Sequence, residues 1–171
     1  MTETITPADL AQQLKESFAD LCNAVDRLTP DEIEQTRLED GWTPKAILAH
    51  VAFWDDYQTR RMEAAYRGGS AATGFSRPPG DNDERAAHDQ ARPWAEVAAT
   101  ASAARQRMIA FAESLPVDAL TAEYREGERT LSIGALLQHM VRHTREHTQT
   151  LNSYHLVRQG GTANAGPANS K

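Results

Sequence analysis

Apolar residues recur along most of the chain at alternating three- and four-residue steps, the spacing that lines one face of an α-helix. Leu10, Leu14, Phe18, Leu21, Val25 and Leu28 mark a first stripe and predict a helix over about residues 7–27. Ile47, Val51, Trp54 and Tyr57 mark a second, over about 44–67, stopped by Gly68 and Gly69. Val97, Ala101, Ala104, Met108, Phe111 and Leu115 mark a third, over 93–115, and Leu136, Met140, Leu151 and Tyr154 a fourth, over 133–159. No strand pattern competes. Four amphipathic stripes predict an all-α fold, a four-helix bundle over residues 1–159. Residues 160–171, GGTANAGPANSK, read as a disordered tail.

The helix starts share one grammar. Thr6-Pro7, Thr29-Pro30 and Thr43-Pro44 each place a capping hydroxyl before a proline at the first helical position, and Ser132 caps the fourth helix without a proline. An apolar residue precedes each cap and meets a partner in the first turns: Ile5 with Leu10, Leu28 with Ile33, Trp42 with Ile47, Leu131 with Leu136. Only a short helix fits after Thr29, because Gly41 follows soon. Residues 68–92, rich in Gly, Pro, Ser and Asp, exceed the roughly 2–8 residues of an ordinary bundle connection. Such a segment travels the length of the bundle, making the second and third helices parallel neighbours, or covers a site, or leaves the body as an excursion.

Composition narrows the classes. A chain of 171 residues suits one domain, and a formal net charge of −6 with scattered basic residues gives no duplex nucleic-acid footprint. No apolar run is long enough to span a membrane, and MTETITPADL lacks the basic and apolar regions of a secretory signal. The one cysteine, Cys22, excludes an intrachain disulfide, and a cytoplasmic location is the simplest reading. Cys22 lies beside the first stripe, as a small packing residue would.

The chemistry lies in HMVRHTREH, residues 139–147. On a helical wheel referred to Leu136, His143 and His147 fall within about 20° of the centre of the apolar stripe, whereas His139 lies about 60° away on its flank. Two buried imidazoles one turn apart cost free energy unless satisfied, and a divalent ion satisfies both as neutral ligands. His50, between Ile47 and Trp54 on the second stripe, is a third candidate. The alternative, core histidines bonded to carbonyls or water, stays open. The sequence is not HExxH, since Met140 and Thr144 follow the first two histidines. Glu146, Asp55 and Asp56 read as solvated charges, and His88 and His155 as bystanders.

GWTPKAILAHVAFWDDYQTRRM, residues 41–62, and LLQHMVRHTREHTQTL, residues 136–151, resemble the two motif segments of the DinB/YfiT-like metalloenzymes. The resemblance implies a bundle in up-down-down-up order, with the long connection between helices two and three. It implies a metal held by His50, His143 and His147, the three residues that the wheel selects. It also implies homodimers and relatives that use low-molecular-weight thiols, such as mycothiol-dependent maleylpyruvate isomerases. The expected function is a metal-dependent enzyme in which zinc, nickel or iron activates water or a thiol for hydrolysis, or for S-transfer to an electrophilic small molecule. Trp54, Tyr57, Met108 and Tyr154 are the expected pocket residues, and no general base is assigned. The rival is a non-catalytic module of the same fold that binds metal or sequesters a small molecule.

Overall fold

The computed structural model describes residues 5–39, 41–68, 81–126 and 129–163. Its elements are α1 (Pro7–Asp26), α2 (Pro30–Gln35), α3 (Pro44–Gly68), α4 (Asn82–Asp89), α5 (Trp94–Ser114), a 3-10 helix (Val117–Thr121), β1 (Glu123–Glu126), β2 (Arg129–Ser132) and α6 (Ile133–Ala163). The four caps form as their sequences dictate. Thr6 Oγ1 accepts from the Asp9 amide at 3.2 Å while the Asp9 carboxylate accepts from the Thr6 amide at 2.8 Å, and Thr29 and Glu32 repeat this reciprocal pair. Thr43 and Ser132 accept from the amides of Ala46 and Ala135 at 3.1 and 3.2 Å.

Contacts along the helices give their directions. α3 and α5 are parallel: Lys45 reaches the Arg92 carbonyl at one end, Asp55 meets Arg105 in the middle, and Glu63 meets Arg107 further on. α1 and α6 are also parallel, since Arg105 joins Leu14 and Ser17 to Thr144, and His155 Nε2 donates to the Ala24 carbonyl at 2.8 Å. α1 opposes α5, with Lys15 on Glu113 at 2.6 Å. The order is therefore up-down-down-up, and the long connection joins the parallel neighbours α3 and α5.

Part of that connection is helical. α4 occupies Asn82–Asp89, with Asp81 as its cap, and residues 69–80 lie outside the described residues. The corner after α4 is tied to the start of α3. Lys45 pairs with Glu34 and donates to the carbonyls of Gln90 at 2.9 Å and Arg92 at 3.0 Å, and the Gln90 side chain bridges Thr43 Oγ1 and the Glu34 carbonyl. The hairpin β1–β2, paired from Glu123↔Ser132 to Glu126↔Arg129, is also absent from the helical pattern of the sequence. Its four-residue strands are too short to show a period. α6 continues to Ala163, into the segment expected as a tail, of which residues 164–171 lie outside the described residues.

The core has two apolar clusters. One holds Leu10, Leu14, Met62, Met108, Leu137 and Met140, and the other Leu21, Val25, Ile47, Val51, Val97 and Leu151. Each long helix carries a buried polar residue between them: Ser17, Asp55, Arg105 and Thr144. Arg105 joins the four. Its Nε and Nη2 donate to the two Asp55 carboxylate oxygens at 2.7 and 3.1 Å, Nη2 also to Thr144 Oγ1 at 2.7 Å, and Nη1 to the Leu14 carbonyl at 3.2 Å. This corrects the reading of Asp55 as solvated, since it is 0% exposed while Asp56 stays on the surface with Arg60 and Arg107. A single stripe misjudges α3 because it packs on α5 through one face and on α6 through another. Burial raises the Asp55 carboxyl to about 6, against the charge and hydrogen bonds of Arg105.

Removing one partner leaves a buried charge uncompensated. Arg105→Met is therefore expected to destabilise the fold by about 3–5 kcal/mol, and adding Asp55→Leu to recover most of the loss. Denaturant unfolding of the single and double variants checks this. Equal stability of wild type and Arg105→Met would contradict it.

Candidate metal centre

α3 delivers His50 from its second turn, and α6 delivers His143 and His147 one turn apart. Gly41, at φ +83, makes the turn that brings Trp42 in front of the α3 start. The three imidazoles converge by the same atom. His143 Nε2 lies 2.9 Å from His50 Nε2 and 3.2 Å from His147 Nε2, and one nitrogen from each ring falls within 4.8 Å of the others. His50 is 8% exposed, and the other two are half-buried.

Hydrogen bonding alone satisfies this cluster poorly. A ring nitrogen carries either one proton or one in-plane lone pair, so His143 Nε2 serves one of its two neighbours well but not both. One cation serves all three lone pairs at once. Metal–imidazole bonds of about 2.0–2.1 Å put neighbouring ligand nitrogens about 2.8–3.4 Å apart, from right-angled to tetrahedral geometry. The observed separations of 2.9 and 3.2 Å fit that donor set.

The electrostatics match. Burial lowers His50 to about 2, helped by the charges of His143, His147 and Arg85. Burial likewise lowers His143 to about 3, helped by His147, His139 and Arg105. Both rings are therefore neutral near pH 7, the form that coordinates a metal. His143 Nδ1 is buried with no hydrogen-bond partner among the described residues, so packing holds that ring.

Aromatic side chains wall the cluster. Trp42 meets His50 edge-on with ring centroids 4.8 Å apart and lies nearly parallel to His147 at 6.3 Å. Trp54 meets His50 edge-on at 6.2 Å, and Tyr57 packs against Trp54 at 5.5 Å. Trp42 Nε1 donates to Asp83 Oδ1 at 2.8 Å, which fastens α4 beside the site. Trp42 and Ala46 also line a cavity of about 480 Å³ against Asp83, Ala86, Ala87 and Gln90 of the α4 segment.

The structure thus brings together His50, His143, His147, Trp54 and Tyr57. It places Met108 and Tyr154 elsewhere. Met108 is fully buried in the cluster with Leu10 and Leu14, and Tyr154 donates to Glu32 Oε1 at 3.2 Å, tying α6 to α2 together with Arg158. His139 is exposed, stacking on His143 at 6.1 Å. Trp42 is the wall residue missing from the expected pocket. Its signal was its place before the Thr43-Pro44 cap, in register with His50 two turns on.

The profile of the DinB superfamily matches residues 6–151. The chain belongs to the DinB superfamily. Two solved DinB-like folds resemble it. YfiT from Bacillus subtilis, described as a probable metal-dependent hydrolase with an unusual four-helix bundle topology, shares 17% identity over 94% of this chain and 93% of its own, with a TM-score of 0.75. The mycothiol-dependent maleylpyruvate isomerase shares 17% identity with a TM-score of 0.72, covering 88% of this chain. A mutant of it gives 18% and 0.73. The DinB chain spans 63% of the isomerase's length. No curated protein matches.

The buried imidazoles make stability depend on pH. In the unfolded chain each titrates near 6.5, whereas in the fold His50 and His143 stay neutral down to about 2 and about 3. The unfolded state therefore takes up more protons as pH falls below 6.5, and that stability, complete above 6.5, is lost toward acid. From about pH 7.5 to about pH 5.5 the ion-free protein is expected to lose about 2–3 kcal/mol through these two groups. Denaturant titrations at both pH values, with the His50→Asn, His143→Asn double variant beside wild type, check this. An equal pH slope in both proteins would contradict it.

Proposed function

We propose that this DinB protein is a metal-dependent enzyme in which His50, His143 and His147 hold one divalent ion and a small electrophilic molecule is the substrate. The convergence of three neutral imidazole nitrogens from two helices carries this reading. Three protein ligands leave positions for water and substrate, as in catalytic rather than structural sites. A divalent ion bound there lowers the pKa of a water or a low-molecular-weight thiol, so that either acts as a nucleophile near neutral pH. Zinc, nickel and iron all suit imidazole ligands.

The chain's own residues do the rest. Burial keeps His50 and His143 neutral, so they take up an ion at pH 7 without releasing protons. Trp42 and Trp54 shield the cluster from bulk water. Cys22 is an unsuitable nucleophile, because burial and then the Asp26 charge push its thiol pKa up. Hydrolysis is supported by the likeness to YfiT, and a thiol co-substrate by the likeness to the mycothiol-dependent isomerase.

Wild type is expected to carry about one ion per chain, lost in both His143→Ala and His147→Ala, and to give many turnovers on an ester panel or on a thiol with an electrophile. Metal analysis with steady-state assays checks this. Full metal content in His143→Ala would overturn the ligand assignment. Uptake of a single equivalent without turnover would favour the sequestering module.

A further inference from the structure

Trp42 packs against two of the three histidines, yet it stands on the turn before α3, where no helix constrains its ring. Its backbone is fixed: Gly41 turns at φ +83, and the Leu38 amide donates to the Trp42 carbonyl at 2.9 Å. That leaves the side-chain torsions of the indole to be set by its contacts. The ring meets His50 edge-on at 4.8 Å and lies 14° from parallel to His147 at 6.3 Å, so its angle bears on how both imidazoles point. Ligating imidazoles need their directions held by the groups around them.

The N–H edge of that indole is held by α4. Trp42 Nε1 donates to Asp83 Oδ1 at 2.8 Å. Asp83 stands in the first turn of α4, whose start is set by a reciprocal pair: the Glu84 amide donates to Asp81 Oδ1 at 2.9 Å, and the Asp81 amide to Glu84 Oε2 at 3.3 Å. The residue that follows α4 is tied to the start of α3 just after Trp42, through Gln90 on Thr43 and Lys45. Between these ends the Arg85 guanidinium lies 4.6 Å from the Phe53 ring centroid and 5.8 Å from that of Trp54. No residue of α4 is buried. The helix therefore docks through side-chain contacts at separate points, not through an apolar face, and Asp83 is the point on the indole. Asp83 is itself exposed, so replacing it leaves the core alone and the other contacts still hold α4.

We propose that Asp83 is a positioning residue for the metal centre: its hydrogen bond to Trp42 fixes the indole that sets the directions of the His50 and His147 rings. This rests on the metal reading of the histidine cluster. Asp83 touches neither the ion nor its ligands and acts through Trp42. Without it the indole turns more freely about its side-chain torsions, the two imidazoles lose a wall, and the ion leaves sooner.

The test is the rate at which zinc-loaded protein gives up its zinc to excess chromophoric chelator. Wild type, Asp83→Ala, Asp83→Asn, Trp42→Phe and the Trp42→Phe, Asp83→Ala double variant are compared, with denaturant unfolding of the ion-free proteins beside them. Asp83→Ala is expected to release zinc about tenfold faster while unfolding at the wild-type midpoint. Asp83→Asn is expected to stay close to wild type, because its amide oxygen still accepts the indole N–H. On the Trp42→Phe background Asp83→Ala is expected to add nothing, since phenylalanine has no N–H to give. A wild-type release rate in Asp83→Ala would overturn this inference and leave the metal reading intact. So would equal acceleration in Asp83→Asn, the same acceleration with and without the indole N–H, or acceleration that only tracks a fall in the unfolding midpoint. Wild type that takes up no zinc would overturn both.

Discussion

The bidentate contact between Asp55 and Arg105 sets the register of the bundle. Apolar stripes tell helices which faces to bury, but they tolerate sliding by a turn. A guanidinium with fixed donor directions does not. Arg105 reaches Asp55 on α3, Thr144 on α6 and the Leu14 carbonyl on α1. Any slip of these helices would leave a charge or a donor unpaired in the core, at a cost of several kcal/mol. Thr144 follows His143 directly, and Asp55 lies little more than one turn after His50. The contact that fixes register therefore lies next to the site that needs it.

That proximity links stability to chemistry. Three imidazole nitrogens meet only if α3 and α6 hold their relative height to well under an ångström, and helix packing by Leu and Ala alone does not give that precision. Burial makes His50 and His143 reluctant to take a proton, and the same burial makes them ready ligands. Trp42 and the α4 segment close the near side, held by Asp83, Gln90 and Lys45. The isolated bundle is thereby less stable at low pH than an apolar one would be, and an ion held by the three rings would offset the cost.

Much of this was legible in the sequence. The four caps, the long helices and the inward direction of His50, His143 and His147 followed from spacing and capping chemistry, and the exposure of His139 from the same wheel. Arg105 was legible but unread. It stands four residues after Ala101 and three before Met108, on a stripe where a charge needs a buried partner. Asp55 was misread because α3 buries two faces, which one stripe does not capture. Met108 and Tyr154 carry the right chemistry for a pocket wall, but a wheel gives direction and not height along the axis. Arg85 and the α4 docking depend on contacts across more than thirty residues of sequence, and no local period encodes those.

The central claim is that His50, His143 and His147 share one ion. Anomalous diffraction from crystals of the metal-loaded protein, recorded on either side of the metal's absorption edge, tests it most directly. The account predicts one strong peak about 2.0–2.2 Å from the Nε2 atoms of all three rings. A peak elsewhere, or none with the rings ordered as they are here, would contradict it.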